Sequence, residues 1–430
     1  MTEQLASDID RIVNSPRQVL FASLIGTAIE YFDFYIYASA AVIVFPRLFF
    51  PPTDPVSATL ASLATFAIAF LARPIGSALF GHFGDRIGRK TTLVAALLTM
   101  GVSTVAIGAL PTYDSIGVVA PALLALCRFG QGIGLGGEWG GAVLLATENA
   151  PPGKRAWYGM FPQLGAPLGF FFSGSSFIVL SHFLTDEQFF AFGWRIPFLA
   201  SAVLVILGLY VRLTIAETPM FQKAVERQER VKVPMLTLIA AHPRMLLIGV
   251  LIALSVYVIF YLMIVFMLSW GTARLGYTRE QFLWIQLFGI LFFALTIPWS
   301  ATMAERGRRS TLMGVNLAIF IFGLVMAPMF EAGVFGAVAA MVLGMSLVGL
   351  VYGPLGTVLS ELFPTSVRYT GSSITFNLAG IFGASLAPYA ATWLASNYGL
   401  QWVGYYLSAS AMLSLAGLYL APETRDRSLS

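Results

Sequence analysis

The 430-residue chain is 57% hydrophobic and only 11% charged, with a mean hydropathy of +0.79. A soluble domain carries roughly 25% charged residues to hydrate its surface, so most of this surface must face lipid. The formal net charge of +4 does not mark a nucleic-acid binder, and Cys127, the single cysteine, excludes an internal disulfide.

Residues 1–17 form a polar tail without the pattern of a cleavable signal, so the first apolar run reads as a retained anchor. Apolar stretches of spanning length follow at 18–45, 57–80, 91–110, 118–146, 156–182 and 194–215. A polar stretch, 216–243, reads as a linker. Further stretches lie at 244–269, 281–302, 310–330, 334–360, 370–396 and 402–421, before a tail at 422–430. The runs are continuous rather than alternating, which predicts an all-α polytopic membrane protein of twelve helices, not a β-barrel. No loop is large enough for a catalytic domain, so an enzyme is not expected.

If both termini share one side, that side carries eighteen Lys and Arg, among them Arg86, Arg89, Lys90, Arg155, Arg230 and Arg309. The opposite side carries Arg47, Arg195, Arg274 and Arg279. The positive-inside rule then places both termini in the cytoplasm. Arg73, Arg128 and Arg212 fall inside or at the edge of spans.

The two halves echo each other. Glu148, Pro151 and Arg155 after the fourth span recur as Glu361, Pro364 and Arg368 after the tenth, 213 positions on. Asp85-Arg86-Ile-Gly88-Arg89-Lys90 is echoed one residue shorter by Glu305-Arg306-Gly307-Arg308-Arg309. Two echoes in equivalent loops predict a six-plus-six parallel repeat, 18–215 and 244–421, with a solute site between the halves.

Charges within spans are costly in lipid, by about 2.5–3.5 kcal/mol or more each. Glu30 and Asp33 lie roughly 20 Å into the first span and share a helical face, with Tyr37 a turn on. Arg128 lies about 15 Å into the fourth from the other end. Glu30 and Asp33 are therefore candidates for proton coupling, and Arg128 for binding a solute carboxylate bidentately. A permanent buried pair that fixes helix packing is the alternative. Glu138 and Arg73, deeper toward the terminal side, read as a gate or packing pair. The second half offers neutral candidates: Tyr257, Tyr261, Gln286, Tyr352 and Asn377, with Gln163 as the first-half counterpart of Asn377.

Gly132, Gly134 and Gly137 formally fit a dinucleotide fingerprint, but they lie inside an apolar span rather than between a strand and a helix. Four-residue spacings such as Gly130/Gly134, Gly136/Gly140 and Gly137/Gly141 read instead as a helix-packing surface. His82, His182 and His242 have no metal-ligand spacing, so neither metal nor cofactor is expected.

Gly81-His-Phe-Gly-Asp85-Arg86-Ile-Gly88-Arg89-Lys90 resembles the loop-2–3 signature of the major facilitator superfamily. More narrowly, the chain resembles the metabolite:proton symporter family. That resemblance is carried by 26–37, Arg73-Pro74-Ile-Gly76, 128–141, Trp194 to Phe198, Glu217 to Phe221, and Glu361 to Gly371 with Asn377. It implies a major facilitator fold and a monomer in the bacterial inner membrane. It further implies proton-coupled uptake of a small polar solute such as shikimate, α-ketoglutarate, citrate, proline or betaine. A gate formed by Asp85, Arg86, Arg89, Lys90, Glu148, Arg155, Glu361 and Arg368 is likewise what the resemblance implies. A binder of nutrients without turnover is the reading from another class.

Overall fold

The computed structural model describes residues 16–50, 55–87, 89–136, 138–148, 150–151, 153–214, 234–364 and 367–425. The predicted tails and linker therefore fall largely outside the described residues. The signature-loop side chains expected to gate (Asp85, Arg86, Arg89 and Lys90) and that of Glu148 are not among those described; nor is Gly81's environment, and Gly88 falls outside altogether.

The first half comprises α1 (Pro16–Ile43), α2 (Pro55–Ile87), α3 (Arg89–Ala109), α4 (Val119–Leu135, resumed as Trp139–Glu148), α5 (Arg155–Phe183) and α6 (Arg195–Thr214). The second comprises α7 (Pro243–Ala273), α8 (Arg279–Ala304), α9 (Arg308–Glu331), α10 (Gly333–Glu361), α11 (Thr370–Tyr398) and α12 (Leu400–Leu420). Every predicted span coincides with one of these. No strand occurs among the described residues, and nine of their helices, ten with one bent pair, are long and apolar enough to cross a bilayer. Side chains such as Phe335, Val118 and Tyr419 stand exposed on the outside, as a lipid-facing surface requires.

The duplication is visible in the packing. In the first half α1 packs on α5 and α6, α2 on α4, and α3 on α4 and α6. In the second, α7 packs on α11 and α12, α8 on α10, and α9 on α10 and α12. Each pairing recurs six helices later. The contacts between halves obey the same rule, α5 meeting α8 and α10 while α11 meets α2 and α4.

Glycine explains how α4 and α10 come so close to their partners. A Cβ at Gly132 would overlap the Ala69 carbonyl oxygen of α2, and one at Gly136 that of Arg73. In α10, Gly349 and Gly353 lie in the same way against the Phe293 and Ile297 carbonyls of α8. The two glycine pairs are related by one offset, so Ile297 is the second-half counterpart of Arg73. The glycine run is thus a packing surface, with Gly132/Gly136 facing α2 and Gly130/Gly134 facing Ser103, Ala96 and Met100 of α3.

Candidate functional site: the cavity between the halves

Between the halves lies a cavity of about 30 Å³, room for a water or two rather than a metabolite. The first half lines it with Tyr31, Tyr35, Arg73 and Ala166. The second lines it with Val256, Tyr257, Phe260, Tyr261, Phe293, Val348, Tyr352 and Phe376. The Tyr31 and Tyr352 hydroxyls hydrogen-bond each other across it.

Cross-half contacts lie on both sides of this cavity. Toward the face at which α1 begins and α12 ends, Trp139 stacks on Phe376, centroids 3.7 Å apart. Trp139 Nε1 donates to Gln163 Oε1 (3.1 Å), and Gln163 Nε2 donates to the Tyr352 carbonyl (3.0 Å). Asn377 Nδ2 donates to Ser77 (2.9 Å). Further out, the N–H groups of Ala156 and Trp157, at the start of α5, donate to Glu305 Oε1 (2.7 and 3.0 Å). Arg155 lies 3.7 Å from Glu361, which also accepts from Arg308 and Thr424. Arg368 donates to the Phe363 carbonyl. Toward the opposite face, Arg279 reaches Ser181 (2.9 Å) and Asp186 (3.0 Å), and His182 meets Glu280 (3.3 Å).

The sequence candidates divide by location. Tyr257, Tyr261 and Tyr352 line the cavity. Gln163 and Asn377 bind the halves together beside it. Gln286 is turned away and donates to the Met263 and Ile264 carbonyls (3.1 and 2.8 Å), within the π-helical turn Leu262–Phe266 of α7. Such a turn interrupts the regular i→i+4 ladder, and Gln286 meets two of its carbonyls. Tyr37 hydrogen-bonds Thr65 inside the first half (2.8 Å).

The buried charges divide in the same way. Asp33 is fully buried between α1 and α6: Oδ1 accepts from Ser201, and Oδ2 has no partner. Arg128, also fully buried, packs over the rings of Tyr37 (4.0 Å), Phe34 (4.3 Å) and Phe66 (4.8 Å). Its Nη1 donates to Gln131 Oε1 (2.8 Å), and Gln131 Nε2 donates to Thr104 (2.8 Å), which lies beside Asp33. Among the described residues no ion pair joins Arg128 to Glu30 or Asp33. Gln131 and Thr104 lie between Arg128 and Asp33 instead, with the Thr104 hydroxyl donating to the Met100 carbonyl (3.0 Å). Glu30 and Glu138 are buried. Arg73 forms no ion pair with Glu138: its guanidinium lies over Phe70 (4.4 Å) and Phe34 (4.7 Å), at the cavity.

Sequence reading did not single out Tyr31, Tyr35, Phe260, Phe293 or Phe376 as cavity residues. Tyr31 and Tyr35 lie one turn apart, beside the two acids already noted, and that spacing was the available signal. The phenylalanines carry no chemical mark that separates a cavity wall from a lipid-facing or core position.

Two six-helix halves enclosing a mid-bundle cavity define a membrane transporter of the major facilitator class. The model of the sugar (and other) transporter family matches residues 19–237 and 222–430, and the chain belongs to that family. It is 57% identical over 427 residues to the inner membrane metabolite transport protein YhjE of Escherichia coli, covering 97% of this chain and 96% of that one. The Escherichia coli shikimate transporter is 37% identical, covering 93% and 92%. The proline/betaine transporter of Salmonella typhimurium is 32% identical, covering 96% and 85%. The partially occluded inward-open xylose transporter XylE of Escherichia coli shares the fold, with a TM-score of 0.75 over 97% of this chain and all of that one, at 17% identity. These relatives are transporters, not enzymes.

Proposed function

We propose that the chain is a proton-coupled symporter that imports a small organic acid across the bacterial inner membrane by alternating access. Both termini then face the cytoplasm, in keeping with the bias of basic residues. The observation that carries the reading is Asp33, a wholly buried carboxyl with one oxygen unbonded and no cation paired to it among the described residues. Burying a lone carboxylate is costly, so such a group is a place to hold a proton. Arg128, on the far side of Gln131 and Thr104, supplies the charge that can stabilise Asp33 once the proton has left. Glu30, a turn closer to the terminal face, is the second carboxyl on this path. The kinship to a shikimate transporter supports an organic acid as solute.

A second reading, import of a zwitterion such as betaine, draws on the tyrosine-rich cavity wall, since aromatic faces attract quaternary ammonium groups. It also fits the kinship to a proline/betaine transporter.

Reconstituted Asp33→Asn protein tests the coupling. Uphill uptake driven by a pH gradient should vanish, while exchange of labelled for unlabelled solute, which needs no net proton movement, should persist. Full gradient-driven accumulation by the variant would remove Asp33 from the mechanism.

A further inference from the structure

Among the described residues, the cavity wall has one charged side chain. Arg73 is its only cation among the described lining residues, and no acid accompanies it. The side chain is more than nine-tenths buried, its Nε has no partner, and it forms no hydrogen bond or ion pair with a described residue. Phe34 and Phe70 pack against the guanidinium, and ring contacts of this kind leave its in-plane N–H groups available. A buried guanidinium with unused donors at a cavity is an incomplete arrangement that a carboxylate would complete, two oxygens against two N–H groups.

Arg128 is placed differently. It does not line the cavity, and one of its N–H groups is already given to Gln131. The duplicated scaffold also limits the count. Gly136 meets the Arg73 carbonyl where Gly353 meets that of Ile297, so the second half places an apolar residue at the matching station. The remaining polar groups are tyrosine hydroxyls, of which Tyr257 has no partner. They can serve hydroxyl groups on a solute but cannot neutralise a second carboxylate, which would be buried without a counter-charge.

We infer that Arg73 anchors the solute's carboxylate, and that the transported acid carries one carboxylate rather than two or three. This rests on the reading of the protein as an organic-acid transporter, but not on the proton site.

Binding to the purified protein is measured by calorimetry with four probes: shikimate and glycine betaine, each with a single carboxylate, α-ketoglutarate with two, and citrate with three. At least one single-carboxylate probe should bind in preference to both others. Arg73→Gln should weaken that binding by about tenfold or more, the loss of a charge-assisted pair. Arg73→Lys, which keeps the charge, should recover part of it. Tighter binding of α-ketoglutarate or citrate overturns the inference, as does unchanged affinity in Arg73→Gln, or no binding by either single-carboxylate probe. Uptake with and without a pH gradient separates this result from the coupling mechanism. Arg73-dependent binding with gradient-independent uptake leaves the anchor standing and removes the proton.

Discussion

Arg73 and Arg128 lie over the same ring: their guanidinium carbons are 4.7 and 4.3 Å from the centroid of Phe34. One cation belongs to the cavity wall and the other to the interior of the first half, so Phe34 lies between the proposed solute site and the Arg128–Gln131–Thr104 group beside Asp33. Phe34→Leu keeps an apolar side chain but removes the π-face from both. Each exposed cation–π contact contributes about 0.5–1 kcal/mol, and desolvated ones about 2. The variant should therefore lower thermal stability in detergent and weaken solute binding together. A stability loss with unchanged solute affinity would show that the ring serves packing alone.

The close approach of α2 and α4 gives a sharper structural test. Gly132→Ala and Gly136→Ala each push a methyl group into a backbone carbonyl of α2, which has no rotamer with which to yield. Both should reduce the yield of monodisperse protein and its melting temperature. Gly314→Ala on α9 is the control, because a Cβ there meets nothing within 4 Å. It should be neutral or slightly stabilising through helix propensity.

On the terminal side, Glu361 gathers Arg155, Arg308 and Thr424. Glu361→Gln weakens these contacts and should shift the population toward a state open on that face. The readout is alkylation of Thr357→Cys in a Cys127→Ser background, since Thr357 is fully buried against the start of α5. Alkylation should accelerate in Glu361→Gln. Equal rates would mean that these ion pairs do not hold the face shut.

The opposite face should counterbalance it. Arg279→Ala removes the links to Ser181 and Asp186 and favours opening there. Added to Glu361→Gln, it should return the alkylation of Thr357→Cys toward the slower rate. Simple addition of two accelerations would argue against alternating closure of the two faces.

Gln286→Leu leaves the Met263 and Ile264 carbonyls without their side-chain donor. An unmet buried acceptor costs about 1–3 kcal/mol. Stability should drop while solute affinity stays near wild type, because the side chain is not part of the cavity wall. A change in affinity larger than the change in stability would place Gln286 in the site.

The architecture was legible because it rests on strong, repeated signals. Continuous apolar runs marked the spans, and the two loop echoes announced a duplication that the helix pairings reproduce. The cavity was less legible. A span tells how deep a residue lies but not which way it points: Gln286 and Tyr257 are both polar groups at depth, yet one mends a helix irregularity and the other faces the cavity. In the sequence, Arg128 was the candidate for the solute carboxylate and Arg73 for a gate or packing pair with Glu138. What separates them is the rotation of α2 and α4 about their axes, set by Gly132 and Gly136, and the turn of Phe34 between them. Asp33 likewise looked able to reach Arg128, but its carboxyl is directed to Ser201 on α6.

Proton movement during solute entry is the most direct test of the proposed symport. Vesicles containing wild-type protein, with no imposed pH gradient and with charge compensated by an ionophore, are given shikimate or glycine betaine while external pH is recorded in weakly buffered medium. The transported solute should draw protons in with it, and the medium should become more alkaline, with Asp33→Asn abolishing the signal. Solute entry at the same rate with no change in external pH would contradict proton-coupled symport.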